Sequence, residues 1–182
     1  MPIVAGDLKF NKSTHVVSAG VGNGNTNEQE IDSLGLAISA TELVSGELHG
    51  LFDSVISDEA LFGRTEYRLI YLLNDHPTLT LYDARVFISS NTISANSEIA
   101  IGFDPVAVNG EDSLIALADE TDSTTQLSAV TFGTHSTFAT GLLVGDLAAG
   151  EQRAIWVRRT IDPNAPASNE SATITLRGDT NA

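Results

Sequence analysis

Short segments of alternating apolar and polar residues, separated by turn signals, constrain the fold of this chain most. Ile99, Ile101 and Phe103 alternate with small or polar residues, and Asp104-Pro105 then ends the segment. Because successive side chains of a strand point to opposite faces, this alternation predicts half-buried strands. Other segments of the same kind are 128–132, 142–147, 154–159 and 172–177.

Two segments carry further information about the sheet. Residues 67–73 are apolar at successive positions in their middle, which is typical of a central strand covered on both faces. Leu79 and Leu81 occupy odd positions, whereas the apolar residues of 84–88 occupy even ones. The change falls at Tyr82-Asp83, where we predict a β-bulge or a change of strand.

About seven or eight short strands with frequent turns indicate an all-β fold, an antiparallel β-sandwich of the Ig-like or jelly-roll type. Apolar residues at helical spacing predict one short helix; they are Leu48, Leu51, Phe52, Val55 and Ile56. Residues 1–33, with their Gly/Asn-rich stretch at 20–27, are predicted to form an extended N-terminal arm or loop. The β-sandwich domain is expected to span residues 34–182.

The charge balance limits the classes of partner. Asp and Glu outnumber Lys and Arg 24 to 9, which gives a formal net charge of −15. A nucleic-acid backbone requires clustered basic residues, so we expect no nucleic-acid binding. The start of the chain has no signal-peptide pattern, and no apolar run approaches the length of a membrane span. We expect a protein made in a cytoplasm that is not membrane-bound.

No arrangement typical of an enzyme is present. The chain has no cysteine, and its four histidines lack partners at metal-binding spacing; they are His15, His49, His76 and His135. His76 precedes a proline and is predicted to be a solvated turn residue. Ser136 follows His135 but lies outside a GxSxG elbow. We therefore expect no catalytic residues, no resident metal and no cofactor.

The acidic residues leave an alternative open. Asp119, Glu120 and Asp122 form a cluster, and Glu111-Asp112 lies a few residues before it. A solvated acidic loop is the simplest interpretation, although such oxygen-rich loops also suit calcium. A calcium-dependent carbohydrate-binding module therefore stays an alternative, with Trp156 and Tyr82 as stacking platforms. Arg158 and Arg159 must point to opposite faces of their strand, so one is expected to pair with a carboxylate.

Two pieces are the most specific in the order of segments after about Leu34. They are Glu66-Tyr67-Arg68 and the sequence from Gly145-Asp146-Leu147 to Ile155-Trp156-Val157-Arg158-Arg159. This order resembles a group of tailed-bacteriophage virion proteins. Such proteins are similar to capsid decoration (cement) proteins or to components of the neck and tail. The resemblance implies no catalytic residue.

This resemblance implies a structural protein of the virion. We expect a decoration protein that binds the outer capsid surface between capsomers as a homo-oligomer, with a trimer favoured. The major capsid protein or other virion proteins would be its partners, and the expected contacts are Lys9, Phe10 and Lys12 in the arm and Arg64 in the body. Deleting about the first 30 residues should then abolish binding without unfolding the protein. A tail, neck or baseplate adaptor is the alternative.

Overall fold

The protein is an antiparallel, all-β sandwich with very little helix. A computed structural model describes residues 2–18, 30–121, 126–165 and 170–180. The ten strands are β1 (Leu8–Ser13), β2 (Val16–Ser18), β3 (Glu30–Asp32), β4 (Ile38–Glu42), β5 (Arg64–Asn74), β6 (Leu81–Ser90), β7 (Ser97–Phe103), β8 (Leu142–Leu147), β9 (Gln152–Ile161) and β10 (Thr173–Asp179). One α-helix, α1 (Ser57–Phe62), precedes β5, and 3₁₀ turns span Ala5–Asp7 and Phe138–Thr140.

Two sheets form the layers of the sandwich. The larger has five strands in the order β4-β1-β5-β9-β7, and the smaller has three in the order β10-β6-β8. Strands β2 and β3 form a separate two-stranded ribbon. The longest pairing joins β5 to β9 and runs in continuous register from Arg64 opposite Ile161 to Leu73 opposite Gln152.

The core between the sheets follows from the alternation of the strands. Ile70 and Leu72 of β5 and Ile155 and Val157 of β9 point toward the smaller sheet, where Val86 and its neighbours receive them. Removing such side chains from water supplies the main driving force for folding. The even positions of β5 and the odd positions of β9 therefore define the inner face of the larger sheet.

The outer face of the larger sheet is covered as well, by loops. Tyr71 of β5 and Trp156 of β9 lie under Leu34, Leu117 and Leu127, which come from segments outside the regular strands. The double coverage of β5 confirms the prediction for residues 67–73. It also explains why this strand lacks a polar face in its middle.

Three further predictions about the strands have different outcomes. A bulge at Tyr82-Asp83 is confirmed by the register shift between β6 and β8 and by the left-handed φ of 48° at Asp83. The strand predicted at 128–132 is wrong, because that segment is a loop covering the outer face with Val130 and Phe132. Leu34, Leu36 and Ile38 also alternate with small or polar residues, a strand pattern, but only Ile38 lies in a strand, at the start of β4.

The short helix exists but lies later than predicted. Residues 48–56 form turns, whereas the helix spans Ser57–Phe62. His49 takes a left-handed φ of 58° and Gly46 one of 82°, and both conformations interrupt a right-handed helix. The apolar side chains of this loop pack instead: Leu51 and Phe52 lie against the inner core.

The N-terminal boundary differs from the expectation that an arm spans residues 1–33. Strand β1 lies inside the five-stranded sheet, between β4 and β5, with Leu8 opposite Asn74 and Phe10 opposite Leu72. Leu8 and Phe10 pack against the inner core, which is why this segment joins the sheet. Deleting the first 30 residues would therefore remove a sheet strand, so that truncation cannot test an attachment role. Residues 19–29 lie outside the described residues.

No helix in the described part of the chain is long and apolar enough to cross a membrane.

Candidate functional site

Seven charged side chains converge at one end of the space between the sheets. We call them the charge cluster: Asp53, Glu59, Arg64, Glu66, Arg68, Glu120 and Arg159. Three of them occupy alternate positions of β5, which places them on the same inner face as Ile70. Charged residues thus continue the face that the apolar core occupies farther along the strand.

Ion pairs link these side chains into one network. Glu120 is fully buried and accepts hydrogen bonds from Arg64, at 2.6 Å between Nη2 and Oε1, and from Arg68. Glu66 lies opposite Arg159 across the β5–β9 pair and accepts its Nε–H at 2.5 Å. The Nη1 atom of Arg64 also lies 2.7 Å from Oε1 of Glu59, at the start of α1.

The loop before α1 closes the end of the sandwich over the cluster. The ring of Phe52 lies 5.2 Å from the guanidinium carbon of Arg68 and 4.8 Å from that of Arg159, at cation–π distance from both. The carbonyl of Leu51 accepts the Nε–H of Arg68, and the carbonyl of Asp53 accepts an Nη1–H of Arg159. Because these bonds hold the loop before α1 in place, the cluster joins this loop to strands β5 and β9.

The cluster carries one more negative than positive charge, with four carboxylates against three guanidinium groups. Burial raises the pKa of Asp53, and the nearby Glu120 raises it further. Burial also raises the pKa of Glu59. For Arg159, burial opposes the charged form, but the carboxylates of Glu66, Asp53 and Glu59 together outweigh it and raise the pKa. The charged forms of Asp53 and Glu59 therefore cost stability, and this cost diminishes as the pH falls.

The geometry favours a structural role for this cluster over metal binding. Asp53, Glu66 and Glu120 each offer a carboxylate oxygen within 4.8 Å of the others, the spacing of a possible metal site. The guanidinium groups that contact these acids already supply the positive charge that a cation would bring. A cation would have to displace those contacts, so the arrangement acts as a cross-link.

A second buried network surrounds Asp104, directly after β7. Its Oδ2 accepts the indole N–H of Trp156 at 2.9 Å and the hydroxyl of Ser113 at 2.6 Å. Its Oδ1 accepts the backbone N–H groups of Val106 and Ala107. Trp156 is fully buried, which confirms core packing as the favoured interpretation of this residue and rules it out as a carbohydrate-stacking platform.

Tyr71 connects this network to the loop that precedes β4. Its hydroxyl donates to the carbonyl of Leu36 at 2.5 Å and accepts the N–H of Ser113 at 2.8 Å. Burial of the ring raises the pKa of Tyr71 to about 12, because a phenolate would lose its hydration.

This shift predicts a loss of stability at high pH. The unfolded chain ionises Tyr71 at its ordinary pKa of 10, whereas the folded chain keeps the proton until about 12. The contribution of the protonated Tyr71 to the free energy of unfolding is therefore complete below pH 10 and is lost as the pH rises toward 12. We expect urea unfolding from pH 8 to 12 to show this decline, and the Tyr71→Phe variant to show a smaller one. An identical decline in both proteins would contradict the assignment.

The four residues expected to contact a partner lie in two separate places. Lys9 in β1 forms an ion pair with Asp75 at 2.6 Å, and Phe10 packs on the inner core. Lys12 lies on the same strand, opposite Ile70. Arg64 belongs to the charge cluster, with a side chain only 12% exposed. A contact between any of them and a partner stays a prediction.

The histidines and Ser136 occupy ordinary structural positions. His76 is 7% exposed, so the prediction of a solvated turn residue is wrong; its Nδ1 accepts the N–H groups of Thr78 and Leu79. His15 and His135 bond to the backbone carbonyls of Leu117 and Thr140.

The acidic segment near residue 120 is not simply a solvated loop. Glu120 turns inward to the charge cluster, while Asp119 accepts bonds from the N–H and the hydroxyl of Thr121. Asp122 lies outside the described residues. The opposite orientation of Arg158 and Arg159 is confirmed: Arg159 pairs with Glu66 inside, and Arg158 lies 3.9 Å from Glu98 on the outer face.

The convergence of the seven residues of the charge cluster was not predicted from the sequence. One signal was available, namely the alternation of charged residues at Arg64, Glu66 and Arg68 leading into an apolar strand. No protein-family model matches the chain, and no curated protein matches it.

Proposed function

We propose that this protein is a bacteriophage virion protein that decorates the outer surface of the capsid, where it binds the major capsid protein between capsomers. One observation carries the proposal. Of the two most specific pieces of the resemblance to phage virion proteins, one lies on β5 and the other runs from β8 into β9, and β5 and β9 pair in continuous register. Three of their charged residues, Glu66, Arg68 and Arg159, belong to the buried cluster, so these residues serve rigidity, which suits a module that reinforces a particle.

The charge of the chain supports an exposed location in many copies. A net charge of −15 on 182 residues keeps a crowded surface soluble and disfavours binding to the packaged nucleic acid. The charge cluster closes one end of the core between the sheets. The middle of the larger sheet is covered on both faces, by the smaller sheet and by loops.

Exposed apolar side chains at the cluster end offer the contact surface in this proposal. Phe62 of α1 is 72% exposed, and Ile93, in the turn between β6 and β7, is 98% exposed. Both elements attach to the segment after β9, since Leu61 accepts the N–H of Asn164 and Asn96 accepts that of Asp162. Contiguous exposed apolar patches commonly mark protein-binding surfaces, and the proposal assigns Phe62 and Ile93 to one such surface.

The copy number of the protein in purified virions tests the proposal. Quantitative mass spectrometry of particles from a phage encoding this chain should give on the order of hundreds of copies, as a capsid lattice requires. Roughly six or twelve copies would overturn the capsid assignment and favour a tail, neck or baseplate ring. Absence from the particle would overturn both.

A matched pair of variants tests whether the surface that carries Phe62 and Ile93 makes the contact with the capsid. Phe62→Ser should reduce the number of copies bound to capsids that lack the protein. Leu143→Ser alters another exposed apolar residue, on β8 of the smaller sheet, and should bind as the unmodified chain does. Equal loss in both variants would contradict the assignment of the cluster end.

A further inference from the structure

A polar groove lies on the outer face of the larger sheet, beyond the point where loops cover it. Its lining includes Thr65, Tyr67, Glu98, Arg158, Thr160 and Asp162. The cover ends at Phe132, whose ring lies 5.6 Å from that of Tyr67 and 5.0 Å from the guanidinium carbon of Arg158. The groove therefore begins where the apolar outer core stops.

Strand register arranges the groove in rows. Thr160 of β9 lies opposite both Thr65 of β5 and Glu98 of β7, so these three side chains cross the sheet in one line. Two strand spacings of roughly 4.8 Å make this line about 10 Å long. The next row along the sheet joins Tyr67 to Arg158. The arrangement rests on three paired strands and is therefore preformed.

The polar groups of the groove are of two kinds: Arg158 and Glu98 lie 3.9 Å apart as an ion pair, whereas the hydroxyl groups are not bonded within the described part of the protein. Asp104 and the charge cluster bind other groups of the chain, as described above. Within the described residues, the hydroxyls of Thr65, Tyr67 and Thr160 and the carboxylate of Asp162 have no hydrogen-bond partner. Tyr67 is only 8% exposed, and it is nevertheless one of the residues that line the groove. Its hydroxyl therefore lies where a ligand in the groove can reach it.

We propose that this groove binds an uncharged saccharide without a metal ion. Three hydroxyls can each donate and accept, two carboxylates accept, and Arg158 donates, which matches the mixed donors and acceptors of sugar hydroxyls. The two carboxylates against one guanidinium, together with a net charge of −15, disfavour anionic ligands. The lining is too polar to favour an apolar ligand, whose sites are mainly hydrophobic.

The inference does not depend on a location in the virion, because it concerns the isolated chain. Saturation-transfer NMR on the purified protein, with maltose, cellobiose, lactose and N,N′-diacetylchitobiose as probes, should detect saturable binding of at least one disaccharide. Binding should persist in EDTA. No binding of any of the four, or loss of binding in EDTA, would overturn the proposal.

Isosteric variants locate the binding. Thr160→Val and Tyr67→Phe each remove one hydroxyl with little change in shape, and each should weaken binding roughly threefold to tenfold. Thr173→Val makes the same change on β10 of the other sheet and should leave the affinity unchanged. If Thr160→Val and Tyr67→Phe bind as tightly as the control, the saccharide binds elsewhere and the proposal fails. Circular dichroism of all three variants checks that the fold is intact.

Discussion

Replacing Glu120 with alanine should lower the free energy of unfolding by about 3–5 kcal/mol, the usual cost of breaking a buried ion pair by removing one partner. Glu120 is fully buried and binds two guanidinium groups at once, those of Arg64 and Arg68. Without it, Arg68 retains only Asp53 as an acidic neighbour, at 4.0 Å, together with backbone carbonyls. The buried guanidinium group of Arg68 would then lack its main counter-charge, whereas Arg64 would keep Glu59, at 2.7 Å.

Urea unfolding of the purified chain measures this loss. Glu47→Ala is the matched control, because Glu47 is an exposed acid in the loop before α1 and should change stability by less than about 0.5 kcal/mol. Since a typical domain is stable by about 5–15 kcal/mol, the two variants should be easily separated. Equal midpoints for both would show that the cluster does not hold this end of the sandwich closed.

Replacing Asp104 with alanine should have an effect of similar size, about 3–5 kcal/mol. Two side-chain donors, on Trp156 and Ser113, and two backbone N–H groups would lose their acceptor. Each buried donor left without a partner costs about 1–3 kcal/mol, although these costs do not simply add. Asparagine would not restore the site, because its amide group turns one acceptor into a donor.

Trp156 is the single tryptophan of the chain, so its fluorescence reports directly on this site. We expect the Asp104→Ala variant to unfold at lower urea, with its folded-state emission shifted to longer wavelength as water reaches the indole. Asp146→Ala provides the control, since Asp146 is exposed and accepts one N–H, from Asp83. Unfolding of both variants at the same urea concentration would contradict the role given to Asp104.

Most of the strands could be predicted from the sequence, because alternation reports which side chains are buried. The segment 67–73 shows this best, since its apolar residues at successive positions match a strand covered on both faces. Strand β1 was missed because the Gly/Asn-rich stretch at 20–27 suggested an arm for the whole of residues 1–33, although Leu8 and Phe10 already had strand spacing. At residues 128–132 the error was the opposite one, a strand predicted where there is a loop. Alternation also occurs in a loop that packs only some of its side chains.

The two buried networks could not be predicted, because their members are distant in the sequence. Asp53, Glu66 and Glu120 meet only when a loop, a strand and a second loop pack together. For Asp104, the sequence showed only an Asp-Pro pair ending a strand. A carboxylate at a strand end usually suggests a turn, and nothing local indicates that an indole from β9 will donate to it.

The charge cluster and the network around Asp104 are the physical reason for proposing a rigid, reinforcing module. A module whose internal charges bind one another, and whose sheet is covered on both faces, is suited to hold other subunits in place. The polar groove presents hydroxyl groups on a rigid part of the larger sheet. Reinforcement of the capsid and binding of a saccharide would then use different faces of the same domain.

An image of the virion at subnanometre resolution tests the capsid proposal most directly. We expect density for a compact β-sandwich on the outer capsid surface, repeated at the junctions between capsomers, with the Phe62 and Ile93 end directed toward the shell. Density for this fold only in the tail, neck or baseplate, or nowhere on the particle, would contradict the proposal.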